Sequence, residues 1–296
     1  MTCYRLAGQE LWTNCQVTEL EPYQINNLEP EERRFPLPAP QALTCRTVGW
    51  VGGEQREVEC WSAPPGILLR VAGGCDVYIG PGGRSLVWID SAKERPNPGE
   101  KRMQSQPTSL DREILAGPAL VLALAVRNVW CWHASAGLFQ NRIMVFLGES
   151  GEGKSTLARL LQENGSPDWR LAADDILPVR MGKTGMVGLP HFPQLKLSIQ
   201  AQPGPDLPED INIERVFVLA KAGGSERPDL QHLPTKEAVQ ALISHTAGTR
   251  MFDPDMLANH LAFCTKAASK TPVYRLVYPH RRDVLSEIRE LVEKLC

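Results

Sequence analysis

"VFLGESGEGKSTLARLL", Val145 to Leu161, decides how the chain is read. Ile143 to Leu147 is a continuous apolar run of the kind a fully buried strand carries. Gly148, Gly151 and Gly153 follow, and glycines let a backbone wrap tightly with its N–H groups turned inward. From Lys154 the spacing is helical: Leu157, Leu160 and Leu161 share a face, and Asn164-Gly165 is a C-terminal stop. Strand, glycine-rich turn and helix start make GxxxxGK[ST] more than a string match. A helix N-terminus offers unpaired N–H donors and roughly half a unit of positive charge, so an anion docks there. Gly148, Glu149, Ser150, Gly151, Glu152, Gly153, Lys154, Ser155 and Thr156 are therefore expected to cradle the phosphates of a nucleotide. Lys154 would reach the β- and γ-phosphates, and the Ser155 hydroxyl would ligate Mg²⁺. The plain alternative is a glycine-rich surface turn before an ordinary helix.

A second constellation lies downstream. "WRLAADD" (Trp169 to Asp175) is an apolar stretch ending in two carboxylates, 20 and 21 residues after Lys154. Beside a phosphate-binding turn, such a pair divides the work. Asp174 can hold Mg²⁺ directly or through water, and the neighbouring acid can take a proton from an attacking hydroxyl. A nearby metal ion offsets the repulsion between the two acids. Read without the turn, the pair is an ordinary Asp-Asp surface turn. His133, in "CWHASAGLF", precedes Lys154 by 21 residues, and alone it reads as a packed or partly exposed structural residue. Ser135 has no G-x-S-x-G setting, so a hydrolase nucleophile is not expected there.

The rest of the chain bounds these readings. At 296 residues it is one large domain or two smaller ones. A net charge of −2 and a pI near 6.3 give no global attraction to nucleic acid or an anionic membrane. Its eight cysteines form no CxxC pair and no zinc-finger spacing, which fits reduced thiols in a cytoplasm. Several of them lie in the first 75 residues, so a bridge there stays open. "MTCYRLAGQELW" is too polar for a signal peptide. The longest apolar run, Ile114 to Val126, falls short of the roughly 20 residues that cross a bilayer. It reads as a buried helix introduced by Asp111, and a cytoplasmic protein is expected.

Residues 1–108 differ in texture from 109–296. Short segments such as "REVECW", "GILLRVA", "CDVYIG" and "SLVWID" alternate with Gly, Pro and Asn turns, including a hairpin at "GPGGR" (Gly80 to Arg84). That is a β-rich domain. Glu29 to Gln41 and Lys93 to Pro107 read as exposed loops, the second marking the domain boundary. Beyond it, helices alternate with strands at Ile143–Leu147, Val216–Ala220 and Val273–Val277, with helices after Thr235 and near Asp283. The expected fold class is α/β: a P-loop core joined to a β-rich N-terminal domain.

"WHASAG", then a strand, "GESGEGKST" and "RLAADD", resembles the catalytic core of HPr kinase/phosphorylase and its bacterial HPr-kinase-related serine kinases. The "HASA" form is similar to the related kinases rather than to the regulatory enzyme. The resemblance is strong over 110–200 and weaker over 210–296, while "CYRLAGQEL" and "ILLRVAGGCDVYIGPGGRSL" resemble the relatives' β-rich leader. It implies an HPr kinase/PEP carboxykinase-like fold with ATP and Mg²⁺ as cofactors. It also implies that Gly148 through Ser155 cradle ATP, Lys154 is catalytic, and Ser155 and Asp174 serve the metal. Asp175 would be the base toward a substrate serine and His133 an active-site histidine. Family members often assemble, which implies a homo-oligomer.

The departures limit what is inherited. The loop "ENGSPDW" is longer than the family's usual one, and the Glu-Ile-Arg-Gly-Leu-Gly signature that supplies a metal ligand has no counterpart. In its place stands "GLPHFPQLKLSIQ", which resembles the "P…LKLW" stretch of the HPr-kinase-related proteins. There His191 and Lys196 either line a substrate cleft or frame a strand entry. Arg250 is a candidate for the family's C-terminal arginine. HPr as substrate, and phosphorolysis, are therefore not carried over. The leading expectation is an ATP- and Mg²⁺-dependent kinase acting on a hydroxyl, serine first, of a peptide or small protein, with the N-terminal domain recognising substrate or partner. A kinase of a small hydroxyl-bearing metabolite, or a nucleotide-binding scaffold or sensor without transfer activity, are the alternatives.

Overall fold

The computed structural model describes residues 1–25, 37–90, 106–163, 169–198, 202, 206–222 and 227–295. The two expected loops fall largely outside this range, as does the stop at Asn164-Gly165. The chain divides into two compact units, Met1–Val129 with Gly248–Leu257, and Trp130–Ala247 with Ala258–Cys296.

The first unit is built on a seven-stranded sheet. Its strands are β1 (Thr2–Leu6), β2 (Gln9–Thr13), β3 (Ala42–Val51), β4 (Glu54–Ala63), β5 (Gly66–Val71), β6 (Asp76–Ile79) and β7 (Ser85–Ile89). The order is β1-β2-β7-β6-β5-β4-β3, and only the β2–β7 pair is parallel. Gly52 and Gly53, at φ 64° and 73°, close the β3–β4 hairpin, a left-handed pair that side chains resist. The expected hairpin at Gly80–Arg84 joins β6 to β7.

The long apolar run is helical but interrupted. α1 (Ser109–Ile114) and α2 (Leu120–Val126) flank a π-helical turn, Leu115–Ala119, that contains Pro118. Asp111 does introduce it, as the third residue of a capping box. Its backbone N–H donates to Thr108 Oγ1 (3.2 Å), and its carboxylate accepts from the Thr108 N–H (3.0 Å). These helices group with the N-terminal strands, whereas the 108/109 division would assign them to the second domain. Burial is the reason: a helix apolar nearly all round needs a sheet face to cover it. A Cβ at Gly83 would lie 2.1 Å from the Ala123 carbonyl, and one at Gly74 2.4 Å from Ile114.

The second unit holds a mixed eight-stranded sheet. It contains β8 (Trp130–Phe139), β9 (Arg142–Leu147), β10 (Trp169–Ala173), β11 (Ile176–Met181), β12 (Met186–Gly188), β13 (Ile211–Lys221), β14 (Asp229–His232) and β15 (Val273–Tyr278). β9, β13 and β15 run parallel, so their C-terminal ends share one edge. β8 is antiparallel to β9 and carries β10 and then β11 on its other side. α3 (Lys154–Glu163) and α6 (Leu285–Glu293) bury Leu157, Leu161, Ile288 and Val292 with Phe146, Phe217 and Tyr278 in one cluster. α4 (Thr235–Ser244) and α5 (Pro254–Lys270) complete the helices. The described cysteines, Cys3, Cys15, Cys45, Cys60, Cys75, Cys131 and Cys264, are free thiols, even where Cys45 and Cys60 oppose each other across β3–β4. Among the described residues no helix is long and apolar enough to cross a membrane.

One core feature predicts a pH response. His260, 2% exposed, packs against Trp130 with the rings tilted (centroids 4.9 Å, planes 52° apart), and its Nε2 lies 2.9 Å from Thr246 Oγ1. Burial lowers its pKa from 6.5 to about 4. The unfolded chain therefore binds more protons between those values, and stability falls as pH drops from 6.5 toward 4, by roughly 3 kcal/mol in all. Urea midpoints at pH 7 and pH 5 should show the loss, and His260→Gln should flatten it.

Candidate active site

The site lies on the edge where β9 ends. Gly148 leaves the strand at φ 155°, and Gly151 and Gly153 sit at 88° and 89°. Space is tight at two of the three as well. A Cβ on Gly148 would meet Glu152 Oε2 at 2.6 Å, and one on Gly153 would meet Tyr278 Oη at 2.5 Å. Inside the turn Lys154, 8% exposed, donates from Nζ to the carbonyls of Gly148 (2.7 Å) and Glu149 (3.0 Å). Burial lowers its pKa and Lys196 adds to this, while Glu152, Asp175 and Glu149 oppose it. Two further contacts brace the turn. The Glu149 N–H donates to the Glu152 carboxylate (2.6 Å), and Tyr278 Oη donates to the Glu152 carbonyl (2.8 Å).

Asp174 and Asp175 form the turn between β10 and β11. Asp174 is 3% exposed, and one of its oxygens is ion-paired with Arg159 of α3. Its carbonyl accepts from Ser155 Oγ at 3.3 Å. Ser135 Oγ lies 3.5 Å from both Ser155 Oγ and Asp174 Oδ1. Asp175 Oδ1 is shared: His133 Nδ1 lies 3.3 Å away and Lys196 Nζ 2.7 Å. His133 reaches it because β8 pairs with β11 in the register His133 to Ile176. Burial lowers the His133 pKa and Asp175 opposes the shift, so the imidazole stays neutral to below the ordinary histidine range.

The turn is held by a residue no motif marks. Gln194, 1% exposed, accepts at Oε1 from the N–H groups of Asp174 (3.0 Å), Asp175 (2.9 Å) and Ile176 (3.2 Å). Its Nε2 donates to the carbonyls of Ile176 and Phe192. The Gln202 carboxamide in turn accepts from the Gln194 N–H (2.7 Å) and donates to the Gln194 carbonyl (2.8 Å). Two residues beyond Gln194 stands Lys196, so one segment fixes both the backbone and the charge partner of Asp175. His191, weighed with Lys196 as a cleft residue, instead has Nε2 2.8 Å from the Leu207 carbonyl.

A second histidine joins from an unmarked segment. The His245 carbonyl accepts from the His133 N–H (2.7 Å), and Trp132 bridges Thr246. Burial lowers the pKa of His245, which sits within the field of Glu149, Lys154 and Glu152. Arg250, the candidate arginine, belongs to the first unit, where its carbonyl lies 2.6 Å from Cys45 Sγ.

The oxygen set formed by Ser155 Oγ, Ser135 Oγ and Asp174 Oδ1 fits a hard cation such as Mg²⁺ chemically. Among the described residues no group of three His, Cys, Asp or Glu could hold a metal alone. Mg²⁺ commonly takes one or two carboxylates and fills its shell with water and phosphate oxygens, so the sparse set is compatible with it.

No family model matches the chain, and no curated protein matches it. Among solved structures it is similar to the Hpr(Ser) kinase/phosphatase from Coxiella burnetii, at 16% identity and a TM-score of 0.34, over 55% of this chain and 88% of that one. The similarity is distant.

Proposed function

We propose that the chain is an ATP- and Mg²⁺-dependent kinase that transfers the γ-phosphoryl group to a hydroxyl, serine first, of a peptide or small protein. The observation that carries this is the pairing of Asp175 with His133 and Lys196 on the same strand edge as the glycine turn around Lys154. Mg²⁺ would draw charge from the phosphate oxygens, with Ser155 and Asp174 holding it. In the transfer, the acceptor oxygen forms a bond to the γ-phosphorus, the bond to the bridging oxygen breaks, and ADP leaves. Asp175 takes the hydroxyl proton, Lys154 and Lys196 face the developing charge, and His133 orients Asp175. The β-rich unit is proposed to recognise the acceptor, and a homo-oligomer in the cytoplasm is the proposed working state. A kinase of a small hydroxyl-bearing metabolite would use the same residues.

The rival is a nucleotide-binding scaffold or sensor. It is favoured by the ion pair that already engages Asp175, because Lys196 occupies the Oδ1 that would receive the acceptor's proton. Incubation with γ-labelled ATP, Mg²⁺ and a pool of hydroxyl-bearing peptides separates the two. Label transferred to peptide supports the kinase, and tight ATP binding without transfer to any acceptor supports the scaffold.

A further inference from the structure

The strand order gives the site two unlike flanks. On one side of β9, strands β8, β10 and β11 bring His133, Asp174 and Asp175 to the edge. On the other side, β13 and β15 end at Lys221 and Tyr278, which are directly paired. Ligands of such sheets lie across the carboxyl ends of parallel strands. With Ser155 and Asp174 on the acidic flank as the proposed holders of the metal end of a polyphosphate, the remainder of the nucleotide would leave over β13 and β15.

We propose, resting on the nucleotide reading above, that the segment after β15 is the base subsite, with the ring of His280 as a stacking platform backed by Tyr278. Tyr278 is 5% exposed, its hydroxyl touches the glycine turn, and its backbone carbonyl accepts from the Ala222 N–H at 3.0 Å. It is therefore anchored to both β13 and the turn. His280 is exposed, yet its ring lies over this anchored phenol, with centroids 5.0 Å apart and planes tilted by 34°. An imidazole with one face backed by a fixed aromatic presents its other surface in water, which suits a flat heteroaromatic ligand. Stacking is tolerant of base identity, so the ligand class is a nucleoside triphosphate, purines first for their larger face.

Binding of Mg·ATP and of Mg·tripolyphosphate, which has the phosphates and no base, tests the proposal in the full chain. His280→Ala should weaken Mg·ATP binding about fivefold or more and leave tripolyphosphate binding unchanged, while His280→Phe retains ATP binding. Tyr278→Phe, which loses the bond to the Glu152 carbonyl, should weaken both ligands together. If His280→Ala changes the two ligands equally, or neither, the base subsite is overturned while the phosphate site stands. If the unaltered chain binds neither ligand, the nucleotide reading itself falls and takes the subsite with it.

Discussion

Asp175→Asn should slow phosphoryl transfer from Mg·ATP by about 10²- to 10⁴-fold while leaving nucleotide affinity close to that of the unaltered chain. The substitution is nearly isosteric and leaves the backbone N–H of residue 175 bonded to Gln194, so the turn keeps its shape. An amide oxygen can still accept from Lys196, but it cannot take the proton of an attacking hydroxyl. The proposed nucleotide contacts come from the glycine turn and from Asp174, which stay intact. Rate and affinity therefore separate, and single-turnover transfer measured beside equilibrium binding reads both. An Asp175→Asn variant that transfers at the full rate would remove Asp175 as the base. One that loses nucleotide binding as well would make it part of the metal or phosphate site.

What the sequence could reveal follows from how local each feature is. The glycine turn is legible because its demands are local: the positive φ values at Gly151 and Gly153 sit inside one motif. β9 is legible because a strand buried on both faces reads as an apolar run, and β13 and β15 because each carries a short, mostly apolar stretch. Gln194 is not, since its five side-chain hydrogen bonds exist only once the 190–198 segment lies against the turn after β10. Arg159 looks like a solvated helix residue until α3 sets it beside Asp174. His245 enters through a bridge to β8 that no local pattern announces. The 108/109 boundary follows composition, whereas the compact unit runs on to Val129 because α1 and α2 bury their apolar faces with the N-terminal strands. Texture changes where exposure changes, and a unit ends where burial ends.

Lys154→Met should weaken Mg·ATP binding by about 10²-fold or more without lowering the melting temperature. The first half follows from geometry, because Lys154 is the cation inside the turn and Met removes its charge while nearly matching its length. The second half follows from linkage. Burial holds the Lys154 pKa below its ordinary 10.5, so the unfolded chain keeps that proton to higher pH than the native one. Stability therefore rises with pH between the lowered native value and 10.5, and below that window the penalty for burying the ammonium is present in full. Methionine carries no such penalty, and its thioether suits a buried position. The carbonyls of Gly148 and Glu149 lose a donor, but Glu149 is exposed and water can reach its carbonyl. Thermal melts at pH 7 and pH 10, paired with binding at pH 7, provide the check. A variant that binds Mg·ATP normally would show that the turn holds phosphate without its lysine. A melting point several degrees lower would show that the ammonium braces the turn more than burial strains it.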